Sequence, residues 1–229
     1  MPVPGWAWRL GGLVVALEVL GWALRVGHAP RWLSRPLSME LPWSAPRLLI
    51  AAVFLAAAVA AGAGAVRLSG RRTWWSAVAA MAALIAVVKA GSTLHKAALE
   101  AVDGYAHPVR ALLVFGTADV LGLCWLYWLS RDERRDRRRV LAWAGLYAFA
   151  AVALSTVSAA VEGALGHGSA VVATAALVEE ATEGVAAVGF LLAVLLGVAP
   201  RLVLPADWPF RRPEDAGSPV ARDLSQPGS

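Results

Sequence analysis

The sequence predicts an all-α protein, a polytopic bundle of six transmembrane helices. Hydrophobic residues occupy 59% of its 229 positions, an apolar content above that of ordinary soluble domains. These residues gather into six runs near the length of about 20 residues that crosses a bilayer. The predicted spans cover about residues 6–27, 48–66, 73–92, 109–129, 140–163 and 170–198.

The first run indicates a retained span, because it contains Glu18 and no small-residue cleavage pattern follows Arg25. The second run, 48–66, has no charge and is rich in Ala and Gly, which lets helices approach closely. Between them, segment 28–47 contains four prolines that exclude a continuous helix: Pro30, Pro36, Pro42 and Pro46. Its two tryptophans favour a position on the outer membrane surface.

Basic loops set the expected orientation. The loops around residues 67–72 and 131–139 are rich in Arg, as cytoplasmic loops usually are. With six spans, both termini then lie in the cytoplasm, and we expect a multi-pass protein of the bacterial cytoplasmic membrane. Residues 1–199 form the predicted transmembrane domain. Residues 200–229, rich in Pro, Gly, Ser and Asp, form a predicted disordered cytoplasmic tail.

Charge and cysteine content narrow the function classes. The net charge of +5 is the kind of excess that nucleic-acid-binding proteins carry, but cytoplasmic loops account for it, so no nucleic-acid partner is expected. The one cysteine, Cys124, can form neither an intramolecular disulfide nor a cysteine-based metal site. Phosphate-binding and hydrolase motifs are absent from the sequence, and we expect no cofactor.

Acidic residues in the apolar runs are the sharpest functional signal. Glu179, Glu180 and Glu183 lie halfway along the last run, where each carboxylate costs roughly 2.5–3.5 kcal/mol. Helical spacing places all three within an arc of about 100°. Asp119 and Glu18 lie halfway along their own runs. The pattern predicts a shared acidic pocket near the middle of the bundle.

Several carboxylates in one buried pocket must be neutralised by protons or by cations. Lys89 and Lys96 on the third run are candidate counter-charges, with His95 beside them. Glu162 lies near the outer end of the fifth run, on one stripe with Ser155 and Ser158, and is a further candidate of a polar interior that opens towards the outer leaflet. Several of these residues also have a structural explanation. Glu18 with Arg25, and Lys96 with Glu100, would be ion pairs that fix helix packing. Asp119 would be a hydrogen-bonding anchor between helices, and His95 an interfacial residue rather than a metal ligand. The spacing leaves open whether the pocket holds a metal.

Two short motifs carry a resemblance. The triplet Leu94-His95-Lys96, together with the Glu-Glu-x-x-Glu pattern from Glu179 to Glu183, resembles a scattered set of bacterial multi-pass membrane proteins with a Leu-His-Glu-like motif. Lys96 stands where those proteins often have an acid. The resemblance implies a membrane location and no particular activity.

These observations predict transport or sensing of a cation, a proton or a small polar solute through the acidic site, within a lipid bilayer. The alternative is a structural or partner-binding membrane protein whose buried charges only fix helix packing. Its partner would be another membrane protein or a second copy of this chain. A membrane-embedded hydrolase or transferase that uses His95 is a third, less favoured class.

Overall fold

The computed structural model describes residues 3–91, 97–98, 100–102, 107–130, 134–166 and 168–204, and these form helices and turns without a strand. Six helices are long and apolar enough to cross a membrane, which confirms the predicted helical architecture. We number them spans one to six: Gly5–Val26, Ala45–Arg67, Ser69–Ala90, Val109–Leu129, Asp136–Leu165 and Ala170–Val198.

Spans three and five contain segments that are not α-helical, and the helices of spans four and five begin before their apolar segments. Span three begins with the 3₁₀ turn Ser69–Arg71 and continues as the α-helix Arg72–Ala90. The α-helix of span four is Pro108–Leu129. Span five joins Arg134–Ala148, a π-helical segment Phe149–Leu154 and Ser155–Leu165. Two short elements complete the described fold: the helix Arg31–Ser34 and the 3₁₀ turn Pro200–Leu202.

Local sequence signals explain several helix ends. The Ser169 hydroxyl accepts a hydrogen bond from the backbone N–H of Val171, which caps the start of span six. Pro46 lies in the first turn of span two, where the missing N–H costs nothing. Span three ends at Gly91, whose φ of 113° is a left-handed conformation that favours glycine.

Span six is the centre of the bundle. It packs against spans one, two and five, while spans two and three form the closest pair of neighbouring helices. Span four contacts spans three and five and is the most exposed of the six. The buried core therefore lies around span six, and any group at its middle is screened by several helices.

Glycines on span six explain how the neighbouring helices approach so closely. Each of three glycines faces a large side chain at a point where a methyl group would overlap it: Gly184 faces Val14, Gly189 faces Trp143, and Gly197 faces Trp75. These contacts come from spans one, five and three. Small residues on the central helix thus serve as recesses for bulky residues of its neighbours.

Residues 27–44, which connect spans one and two, fold back against the bundle, and we name them the folded-back segment. The Leu37 carbonyl packs against Gly21 of span one, and Pro42 packs against Gly91 at the end of span three. Met39 is buried. Glycines on spans one and three leave room for the chain to pack there, and the expected position on the outer membrane surface stays a prediction.

The recesses on span six lead to a stability prediction. Gly189→Ala should lower the free energy of unfolding by about 1–3 kcal/mol, because the new methyl group overlaps the Trp143 ring. Chemical unfolding in mixed micelles measures the change. Gly62→Ala in span two is the matched control, since nothing lies within 4 Å of its added methyl group. Equal stability of the two variants would contradict the packing role of Gly189.

Candidate functional site

Five charged side chains from four spans meet inside the bundle, below the folded-back segment. We name this group the charge cluster: Glu18 of span one, Arg47 of span two, Lys89 of span three, and Glu180 and Glu183 of span six. The convergence brings together residues that are far apart in the sequence.

Lys89 is the centre of the charge cluster. Its Nζ lies 2.6 Å from Glu180 Oε2, to which it donates a hydrogen bond, and 2.6 Å from Glu183 Oε2. All three side chains are at most 5% exposed. Glu180 and Glu183 are three positions apart on span six, a spacing that places both on one helix face. One ammonium group therefore bridges two carboxylates and fills the position that a bound cation would take.

Arg47 joins the cluster from the first turn of span two, with longer contacts. Its Nη1 lies 3.5 Å from Glu180 Oε1, and its Nε donates to the backbone carbonyl of Lys89 at 3.3 Å. The same Nη1 lies 3.5 Å from the backbone carbonyl of Glu40 in the folded-back segment. Arg47 thus connects the acids of span six to the segment that covers them.

Glu18 differs from the other acids of the cluster because its carboxylate is unpartnered. Its side chain is fully buried, and neither oxygen has a hydrogen-bond partner among the residues that the structure describes. It interacts electrostatically with Glu180 and Glu183, and also with Lys89 and Arg47. A carboxylate in such a place costs free energy unless it takes up a proton or another positive charge.

Span five contributes two hydroxyl groups to the acids of span six. Tyr147 forms a side-chain hydrogen bond with Glu183, and its ring packs edge-on against Phe54 at a centroid distance of 4.8 Å. Ser158 forms a side-chain hydrogen bond with Glu179. The π-helical segment of span five lies between these two hydroxyl residues. Such segments are frequent at functional sites.

The three acids of span six therefore divide between two sides of the helix. Glu179 turns towards span five, Glu180 towards spans two and three, and Glu183 lies between them. The reason is geometric: consecutive residues of a helix point about 100° apart. In a closely packed bundle, side chains that point 100° apart on one helix face two different neighbouring helices.

Two other candidate residues that the structure describes, Asp119 and Glu162, lie away from the cluster. Asp119 is half-buried on span four, which packs against spans three and five and not closely against span six. Glu162 is partly buried, and it lies 15 positions beyond Tyr147, a distance of about 20 Å along span five. His95 and Lys96 lie outside the described residues. Of the predicted residues that the structure describes, the cluster thus contains Glu18, Lys89, Glu180 and Glu183, whereas Glu179 bonds to Ser158 of span five.

Sequence reasoning missed Arg47 and Tyr147 as members of the site, although each had a signal. Arg47 lies in the first turn of a helix, where a positive charge is unfavourable to the helix dipole and calls for a carboxylate partner. Tyr147 is a tyrosine within an apolar run, and a buried hydroxyl normally finds a hydrogen-bond partner.

The charge cluster contains more acidic groups than basic ones. It contains three carboxylates, Glu18, Glu180 and Glu183, and two cations, Arg47 and Lys89. With every group ionised, one negative charge remains buried, and Glu18 is the acid without a hydrogen-bonded partner. Within the described ranges, no three His, Cys, Asp or Glu side chains are arranged to hold a metal ion. The arrangement is suited to taking up one positive charge.

Comparisons of this chain with protein-family models, with curated proteins and with solved structures found no match. The site is therefore interpreted from its own geometry.

The bridging position of Lys89 leads to a prediction about stability. Lys89→Met should lower the free energy of unfolding by about 3–5 kcal/mol, because it leaves two buried carboxylates without their counter-charge. Unfolding in mixed micelles measures this loss. Adding Glu180→Gln and Glu183→Gln to the same chain should recover much of it.

The control for Lys89 is an exposed ion pair. Glu40→Gln removes the Arg25–Glu40 pair, whose side chains are 25% and 49% exposed. It should change stability by at most about 1 kcal/mol. A Lys89→Met protein as stable as the Glu40→Gln protein would show that the bridge contributes nothing.

Proposed function

We propose that the protein is a multi-pass protein of the bacterial cytoplasmic membrane, with both termini in the cytoplasm, and that its charge cluster exchanges a proton in transport or sensing. The membrane location is supported by six helices of suitable length and hydropathy. The orientation is supported by the Arg-rich loops that follow spans two and four.

The observation that carries the proton proposal is the buried, unpartnered carboxylate of Glu18 beside two ion-paired acids. The cluster needs one more positive charge than its own cations supply. Lys89 already fills the place between Glu180 and Glu183, so a metal ion or a solute cation would have to displace it. A proton needs no such space and can reside on the Glu18 carboxyl group itself.

A structural role is the second candidate, and the short contacts of Lys89 favour it. An ammonium that bridges two carboxylates at 2.6 Å ties span three to span six and fixes their register. In that role the carboxyl group of Glu18 would stay protonated and would never exchange its proton. The two functions therefore differ in whether Glu18 gains and loses a proton.

Infrared difference spectra recorded between two pH values test that exchange. The wild-type protein should show a carbonyl band of a carboxylic acid that appears and disappears with pH, because Glu18 takes up and releases a proton. Glu18→Gln should abolish this band. Glu179→Gln is the matched control, since it removes a carboxyl group that bonds to Ser158 and does not belong to the charge cluster. A band unchanged in Glu18→Gln would exclude Glu18 as the exchanging group.

Proton flux separates transport from sensing. In vesicles that enclose a pH-sensitive dye, a proton transporter should dissipate an imposed pH gradient faster than protein-free vesicles do. Glu18→Gln should return the rate to that of protein-free vesicles, and Glu179→Gln should not. A wild-type protein with the pH-dependent infrared band but without flux would be a sensor. A wild-type protein with neither would support the structural role.

A further inference from the structure

A second polar feature lies outside the charge cluster, between the end of span one and the folded-back segment. It is a cavity of about 510 Å³, within the range of about 300–1,000 Å³ that is typical of small-ligand sites. Its polar lining includes four basic residues and one acid: Arg25, His28, Arg31, Arg35 and Glu40. The hydroxyl-bearing residues Ser34 and Ser38 also line it.

The lining carries an excess of positive charge. Arg25 Nη1 lies 2.5 Å from Glu40 Oε1, so this pair is neutral as a unit. Arg31 and Arg35 have no carboxylate partner among the residues that the structure describes. They stand one helical turn apart at the two ends of the short helix Arg31–Ser34. Their two guanidinium groups therefore leave the cavity suited to an anion.

Arginine favours a particular kind of anion. Its planar guanidinium group donates two parallel hydrogen bonds to the oxygens of a phosphate or a carboxylate. Two arginines and two serines around one cavity provide enough donors for a phosphate group, which has several acceptor oxygens.

The surroundings of the cavity indicate where that phosphate comes from. Trp32 and Trp43 belong to the same segment, and they are 77% and 67% exposed. Leu33 and Leu41 beside them are exposed as well. Tryptophans of membrane proteins concentrate at the level of the lipid headgroups, where one side of the ring is apolar and the other is wet. The exposed tryptophans therefore favour a position of this cavity at the level of the phospholipid phosphates.

We propose that this cavity binds the headgroup of an anionic phospholipid, with Arg31 and Arg35 on its phosphate. The proposal does not depend on proton exchange at the charge cluster. The two sites are nevertheless joined through Glu40. Its carboxylate pairs with Arg25 in the cavity, and its backbone carbonyl accepts a hydrogen bond from Arg47 of the charge cluster. A headgroup that binds Arg25 would compete with Glu40 for it, and Glu40 also contacts Arg47.

Native mass spectrometry of the purified full chain, stripped of lipid and titrated with phosphatidylglycerol, tests the proposal. The wild-type protein should bind phosphatidylglycerol more tightly than phosphatidylcholine, whose headgroup has no net charge. The double variant Arg31→Gln, Arg35→Gln should weaken binding of phosphatidylglycerol by at least about tenfold, because charge-assisted hydrogen bonds to the phosphate are lost. Both arginines are exposed, so this variant should fold as the wild type does.

The matched control removes the same charge elsewhere. The variant Arg67→Gln, Arg72→Gln removes two exposed arginines where span two ends and the α-helix of span three begins, on the side of the bundle away from the cavity. It should leave the affinity for phosphatidylglycerol unchanged. Equal weakening by both double variants would show a general charge effect and overturn the proposal. Inorganic phosphate that displaced the lipid at equal concentration would identify a free-anion site and overturn the lipid assignment.

Discussion

Neutralisation of Glu180 and Glu183 by Lys89 is the interaction on which the arrangement of the bundle depends. Each of these groups would be expensive to bury alone, since moving an ion out of water costs several kcal/mol even after the protein relaxes. Contacts of 2.6 Å to both carboxylates offset that cost only while spans three and six keep one register. A shift of span six by one residue would turn each carboxylate by about 100° and break the bridge.

Packing around span six follows from the same constraint. A helix that carries buried acids must be enclosed, and span six is enclosed on several sides because its glycines receive Val14, Trp143 and Trp75. The folded-back segment then covers the cluster from the side of Arg47. Electrostatics thus sets the rotation of span six, and small residues set how closely its neighbours approach.

The sequence was sufficient to predict the six apolar helices and the burial of Glu18, Lys89, Glu180 and Glu183, because length, hydropathy and the cost of an intramembrane charge are local properties. It could not predict which neighbour each helix face meets. The positions of Glu179, which turns to span five, and of Asp119, whose span does not pack closely on span six, depend on that choice. Arg47 was missed because the predicted span begins at residue 48. Its place in the first turn of a helix, where a positive charge calls for a carboxylate, follows only from the observed start at Ala45.

The uneven strength of the contacts indicates which part of the cluster can respond to a proton. Lys89 is held at 2.6 Å by two carboxylates. Arg47 has longer contacts: 3.5 Å to Glu180 Oε1, 3.5 Å to the Glu40 carbonyl and 3.3 Å to the Lys89 carbonyl. Under the proposed function, ionisation of Glu18 adds a negative charge that attracts both cations, and the more weakly held Arg47 is the one free to move. Because Arg47 also contacts the folded-back segment, a proton at Glu18 would then be coupled to the position of that segment. A rigid lysine bridge alone would not produce such coupling.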